Sequence, residues 1–185
     1  MTRLLLLIDI QRDYFPGGRH PLVGSDAAAD AAARLLGSFR AAHERIVHVQ
    51  HVSQDPDAAF FAPGTPGVEI DPRVAPIGDE PVIVKAHPNA FLGTGLESLL
   101  RADEPDELVI AGMMTSMCVD ATVRAASDLG FSVAVARDAC AAPDLAFDGT
   151  TVPGAQVHAA FIAALGSAYA RIASAEELAG EPAAG

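Results

Sequence analysis

The sequence predicts an α/β protein, a three-layer α/β/α sandwich on a parallel sheet. Three observations predict it. Short aliphatic or β-branched runs alternate with alanine-rich segments along the chain. The runs lack polar alternation, which is the pattern of strands buried on both faces of a parallel sheet. Alternating strand and helix then calls for right-handed crossovers, which lay helices over both faces. With 185 residues, half of them hydrophobic, the chain suits one domain that buries roughly 70% of its unfolded-chain surface.

Taken in order, the first strand is Leu4–Asp9 and the first helix is near Ser25–Ala42. Ile46–His51 is the second strand. Residues 53–80 follow with Pro56, Pro63, Pro66, Pro72 and Pro76 and little periodicity. A loop this long inside a compact domain is usually functional. Val82–Lys85 is the third strand. A helix near Gly95–Ala102 opens with the capping-box pattern Thr94-x-x-Glu97. Leu108–Gly112, a helix at Cys118–Leu129, Phe131–Ala136 and a helix at Gly154–Gly166 come next. A weaker strand near Tyr169–Ile172 precedes a helix at Ser174–Ala179, which carries a second box, Ser174-x-x-Glu177. We expect one domain over 1–179 and a frayed tail at 180–185.

Composition excludes several classes. Twelve basic residues against 24 acidic ones leave a net charge of −12. Such a surface repels phosphate backbones, so nucleic acid is not an expected partner. No apolar run approaches the roughly 18–20 residues of a bilayer span. The longest, Leu4–Ile8, is strand-sized, and Met1-Thr2-Arg3 leads straight into it without the pattern of a secretory signal. The expectation is a cytoplasmic protein with no membrane partner. Two cysteines, Cys118 and Cys140, make no disulfide framework, and no Cys-x-x-Cys pair suggests structural zinc.

Chemistry is expected beyond the carboxyl ends of the strands, where open α/β sheets bind ligands. Asp9, Lys85 and Cys118 sit at or just past such ends. An aspartate there is commonly a turn residue, and a lone cysteine is commonly inert and buried. Lys85 is the chain's only lysine, the other eleven basic residues being arginine. An ammonium can be buried and shifted in pKa where a guanidinium cannot. Together the three make sense. Asp9 can accept the Cys118 proton and Lys85 can balance the charges. The turn Gly112–Cys118 can aim backbone N–H groups beside the sulfur, and a helix N-terminus favours the thiolate. Cys140 reads as structural.

Several segments resemble the isochorismatase-like cysteine hydrolases, which include nicotinamidases, carbamoylsarcosine amidases and streptothricin-hydrolase-like enzymes. They are Leu6–Phe15, Gly64-Thr65-Pro66-Gly67, Val84-Lys85, Val109–Thr122 and Asp138-Ala139-Cys140. The resemblance spans about residues 3–172. It implies a Rossmann-like fold with a six-stranded parallel sheet and an Asp-Lys-Cys triad at Asp9, Lys85 and Cys118. It further implies a cis peptide at Met113–Met114, an oxyanion hole from the N–H groups of Met114 and Cys118, and a homodimer or homotetramer. Nicotinamidases carry a metal site with an Asp-x-His near the second strand. His51-Val52-Ser53 stands there in this chain, leaving one imidazole where a catalytic metal wants about three ligands. No metal and no cofactor are expected, and nicotinamide is disfavoured as substrate. True isochorismatases lack the cysteine, so Cys118 favours amide C–N hydrolysis over vinyl-ether cleavage.

For the substrate pocket the expected residues are Gln11, Tyr14, Phe15, His51, Phe60, Phe61, His87, Phe91 and Thr115, with Asn89 beside them. Gln11 and Asp13 are also expected to orient the first loop. His20 and His43 read as exposed. His158 reads as a core or subunit contact, and Asp120–Arg124 as a helix surface pair. The function expected is a metal-independent cysteine hydrolase that cleaves an amide, lactam or carbamoyl bond of a small molecule through a thioester. Two other readings stay open at this point. One is a ligand-binding protein without catalysis on the same fold. The other is a thiol redox enzyme in which Cys140 resolves an oxidised Cys118.

Overall fold

A computed structural model describes residues 2–181. The elements run β1 (Arg3–Ile8), α1 (Ser25–Ala41), β2 (Arg45–His51), β3 (Val82–Lys85), α2 (Leu96–Asp103), β4 (Glu107–Met113), α3 (Asp120–Asp128) and β5 (Val133–Ala141). A hairpin of β6 (Leu145–Phe147) and β7 (Thr150–Val152) follows, then α4 (Gly154–Ala168), β8 (Arg171–Ala173) and α5 (Ala175–Ala179). Six strands form one parallel sheet in the order β3-β2-β1-β4-β5-β8. The chain winds outward from β1 to β3 and returns to β4 on the other side. The switch point therefore lies between β1 and β4, where such folds open a crevice.

The continuous apolar run of β1 makes two cores, because successive strand side chains point to opposite faces. Leu5 and Leu7 pack with Leu35, Leu36 and Phe39 of α1 and Leu178 of α5. Leu4, Leu6 and Ile8 pack with Leu96 and Leu100 of α2, Val123 of α3 and Leu165 of α4. Each such leucine contributes about 1.5–3 kcal/mol by leaving water. The three layers follow from this alternation.

Several expectations are corrected. β3 is an edge strand with Val82 and Val84 exposed, not a strand buried on both faces. The helix expected from Cys118 starts as one π-helical turn, Thr115–Val119, and turns α-helical only at Asp120. The Ser174–Glu177 capping box forms. The Thr94–Glu97 box does not. Gly95 is the N-cap of α2, Thr94 Oγ1 accepts from the Leu96 N–H at 3.2 Å, and Glu97 turns outward to Arg101. The β6–β7 hairpin was not expected, being only three residues a side and fully exposed.

The proline-rich stretch is ordered by short 3-10 turns at Pro66–Val68 and Pro72–Val74 and by a bridge from Ile70 to Gln11. Within the expected tail, Glu181 pairs with Arg171 at 2.8 Å and Arg3 at 3.7 Å, and residues 182–185 lie outside the described residues. Among the described residues no helix is long and apolar enough to cross a membrane.

Candidate active site

The site is assembled where β1 ends. Asp9 adopts φ +50°, a left-handed conformation that aspartate tolerates better than most residues. Its N–H still bonds Val49 on β2 at 3.0 Å while its C=O already accepts the Gln11 N–H at 2.9 Å. The chain thus turns sharply and leaves the Asp9 carboxylate at the carboxyl end of the sheet. β4 approaches at Gly112, whose φ is +146°. A Cβ there would lie 2.1 Å from the Ile8 carbonyl oxygen, so only glycine fits. This close approach brings the next turn beside Asp9. The Met113–Met114 peptide in that turn is cis. The Met114 carbonyl accepts the N–H groups of Met117 (3.1 Å) and Val119 (3.2 Å). The Met114 N–H donates to no acceptor among the described residues.

Lys85 closes the group from the end of β3. Its Nζ lies 2.6 Å from Asp9 Oδ2, and both side chains are fully buried. It donates to His51 Nδ1 at 3.0 Å, the His87 carbonyl at 3.0 Å and Cys118 Sγ at 3.3 Å. An ammonium has three N–H groups, and those three acceptors use them. Asp9 is therefore held mainly by charge, and among the described residues neither of its oxygens has a well-aligned hydrogen bond. Burial raises the Asp9 pKa, and the Lys85 charge opposes the rise. Burial, and then the Asp9 charge, push the Cys118 thiol up, again with Lys85 opposing. His51 is pushed down to about 4, by burial first and then by the charges of Lys85 and His87. It stays a neutral imidazole whose Nδ1 accepts from Lys85, which leaves its proton on Nε2.

Asp9, His51 and Cys118 present ligand-type atoms within 4.8 Å of one another, the spacing of a metal trio. The Lys85 ammonium touches all three. A cation already stands among these donors, so the set does not fit a metal ion.

A cavity of about 190 Å3 opens onto Cys118, lined by Tyr14, His51, Ser53, Ala58, Ala59, Phe60, Pro88 and Met117. Larger surface hollows of about 410, 610 and 350 Å3 contain none of Asp9, Lys85 or Cys118, and one of about 440 Å3 is lined by Lys85 and His87 but by neither Asp9 nor Cys118. Three of the expected pocket residues line the cavity: Tyr14, His51 and Phe60. The others do not. Gln11 is fully buried and fastens main chain, accepting the His51 N–H (2.8 Å) and donating to the carbonyls of His51 (2.8 Å) and Val68 (2.7 Å). Phe61 packs behind the wall against Tyr14 and His51. Phe15 is buried beneath the Arg73 guanidinium. His87 offers its carbonyl to Lys85 while its residue is exposed. Phe91 stacks on Phe131 in the α2–α3 layer, and Asn89 caps the Phe91 N–H. Thr115 is fully buried and bonds His158 at 2.9 Å.

Pro88, Met117, Ser53 and Ala58-Ala59 were missed. Pro88 and Met117 lie next in sequence to the Lys85 loop and to Cys118, which is the signal that could have found them. Asp13 secures the first loop. Its carboxylate accepts the N–H groups of Phe61 (2.7 Å) and Arg19 (3.1 Å), and a Cβ on Gly67 would sit 2.2 Å from it. Cys140, on β5 opposite Gly112, donates to the Ala136 carbonyl, and burial pushes its thiol up to about 12. A thiol so protonated is a poor resolving partner.

The model of the isochorismatase domain matches residues 3–177. An uncharacterized isochorismatase family protein of Bacillus subtilis is 46% identical over 176 residues, covering 95% of this chain and 98% of that protein. The streptothricin hydrolase of Streptomyces noursei is 36% identical over 171 residues, covering 89% of this chain and 60% of its own length. A solved structure from Oleispira antarctica, described as an isochorismatase hydrolase, superposes with a TM-score of 0.93 at 51% identity and covers 97% of each chain. A match over nearly the whole length places the chain in the isochorismatase family of hydrolases.

Proposed function

We propose that the protein is a metal-independent cysteine hydrolase that opens an amide-type C–N bond of a small molecule through a thioester. One observation carries the reading. A buried lysine contacts both a buried carboxylate and the thiol that lines a cavity of about 190 Å3. Amide-cleaving relatives in the same family support the bond type.

In this reading Asp9 takes the Cys118 proton, and the thiolate attacks the acyl carbon. Burial raises the proton affinity of both groups, and the Lys85 charge opposes the rise at each, which brings the thiolate within reach. Lys85 balances whichever of the two carries the negative charge. The N–H groups of Met114 and Cys118 receive the oxyanion. When the C–N bond breaks, Asp9 returns its proton to the leaving nitrogen, and an amine or ammonia departs. Asp9 then takes a proton from water, the hydroxide adds to the thioester carbon, and Cys118 leaves and recovers that proton.

The test is amine or ammonia release from a panel of small amides, lactams and carbamoyl compounds, with and without chelator. Release that resists chelator and disappears in Cys118→Ala, with folding intact by circular dichroism, is the expected result. Turnover retained by that variant overturns the mechanism. Lys85→Arg should lose turnover by about 100-fold or more, since a planar fork cannot take the place of a compact ammonium between three acceptors. Turnover within threefold of wild type removes Lys85 from the scheme.

A further inference from the structure

α4 has no part in the chemistry, yet it touches the nucleophile turn through one polar contact. Thr115 Oγ1 lies 2.9 Å from His158 Nδ1. Thr115 is fully buried, and this imidazole is the hydroxyl's only hydrogen-bond partner among the described residues. A buried hydroxyl without a partner is costly, so the contact is obligatory rather than incidental. Its place matters. Thr115 directly follows Met114 and begins the π-helical turn that ends at Val119. The Met114 carbonyl is already committed to the N–H groups of Met117 and Val119, which tightens the turn from within. From outside, the turn is tied at its start by the Thr115 hydroxyl and near its end by Lys85 on the Cys118 sulfur.

The other end of the contact is firmly held. The Gly154 N–H at the start of α4 donates to Asp144 Oδ1 at 2.7 Å. A Cβ on Gly154 would lie 2.7 Å from the Ala142 carbonyl oxygen, so α4 is seated against the end of β5 with no space between. His158 comes one helical turn later, and Val157 beside it is buried. Burial lowers the His158 pKa, which keeps a neutral ring over the Thr115 hydroxyl.

We propose that His158 is a positioning residue: through Thr115 it fixes the turn that presents the Met114 and Cys118 N–H groups, making α4 the brace of the oxyanion hole. The catalytic part of this rests on the hydrolase reading above. The brace itself does not, and the two are separable by experiment.

The variants are Thr115→Val, which removes the hydroxyl at nearly constant shape, together with His158→Leu and His158→Asn. The first readout is amide hydrogen exchange of the segment 113–120, which needs no substrate. Exchange there should rise about tenfold in Thr115→Val and His158→Leu, and His158→Asn should restore most of the protection by keeping a polar group near Nδ1. The second readout is hydrolysis of p-nitrophenyl acetate, corrected for the Cys118→Ala rate. Here kcat should fall by about 10- to 100-fold with KM within twofold, and His158→Asn should recover most of it. Unchanged exchange in both apolar variants overturns the brace. Faster exchange with unchanged kcat overturns its positioning role. A wild-type rate no higher than that of Cys118→Ala defeats the hydrolase reading instead, and the exchange experiment still decides the brace.

Discussion

β1 carries a buried ion pair at its amino end and leads into another just past its carboxyl end, and the two are built differently. At the amino end Arg3 donates twice to Glu44, at 2.9 and 2.7 Å, and a third time to the Leu178 carbonyl at 2.7 Å. Its guanidinium also lies 4.7 Å over the Phe39 ring. Both carboxylate oxygens are satisfied by a matching fork. Past the carboxyl end Lys85 touches Asp9 at 2.6 Å, but its N–H groups go to His51, His87 and Cys118. Among the described residues Asp9 keeps both oxygens without aligned partners. Burial is alike at the two ends. What differs is satisfaction. A saturated pair joins β1 to the segment after α1 and to α5, whereas an unsaturated pair keeps a carboxylate free to take up a proton. The first kind serves architecture and the second suits chemistry.

Replacing the unsaturated pair should show in rate. Asp9→Asn keeps the shape but cannot accept the Cys118 proton, and turnover should fall by about a thousandfold. A variant that keeps a tenth of wild-type turnover in steady-state kinetics erases the contrast. The saturated pair should show in stability. Arg3→Met leaves Glu44 buried and uncompensated, costing about 3–5 kcal/mol in urea unfolding with kcat within twofold of wild type. Adding Glu44→Leu should recover most of that loss, since an apolar pair of similar volume does the same structural job. A double variant as unstable as the single one would mean that the ionic contact itself is required.

The smallest effect is in pH. Burial raises the Asp9 pKa above the ordinary 3.8, so the base form is lost as pH falls through a value above 3.8. The acid limb of kcat/KM should lie there. The sign for folding is opposite to that of an ordinary salt-bridged carboxylate. A raised pKa means that the folded state binds the proton more tightly, so the stability Asp9 contributes declines as pH rises from 3.8 through its raised value. Asp9→Asn should flatten that dependence in denaturation midpoints measured across pH. An unaltered dependence would assign it to another group.

The sheet and the residues at its ends are legible in the sequence because both depend on local pattern. A parallel strand is a continuous apolar run, and a charged residue closing such a run stands out, as Asp9 and Lys85 do. β3 shows the limit. Val82, Ile83 and Val84 have the composition of a central strand, but edge or centre is decided by winding order. That Gln11 and Asp13 orient the first loop is legible, but their partners are hidden for a related reason. Their partners are main-chain groups of His51, Val68 and Phe61, at sequence separations of 40 to 57 residues. Any polar side chain can bond a backbone, so their identity carries no hint of the partner. The pocket expectations erred toward aromatics. Phe15 and Phe61 are buried in the core and Phe91 is half-buried against it, because large rings gain most from leaving water. Small residues such as Ala58 and Ala59 were left to line the opening.

The single lysine has a practical corollary. Lys85 is the only lysine of the chain, and its side chain is wholly enclosed. The folded surface therefore offers no side-chain amine to an acylating reagent. Succinimidyl esters, aldehydes and amine cross-linkers have no lysine to attack until the carboxyl end of the sheet opens, and each molecule that opens exposes a single ε-amino group. Covalent labelling of that amine, followed by mass spectrometry, converts the charge at the heart of the site into a one-hit counter of its breathing.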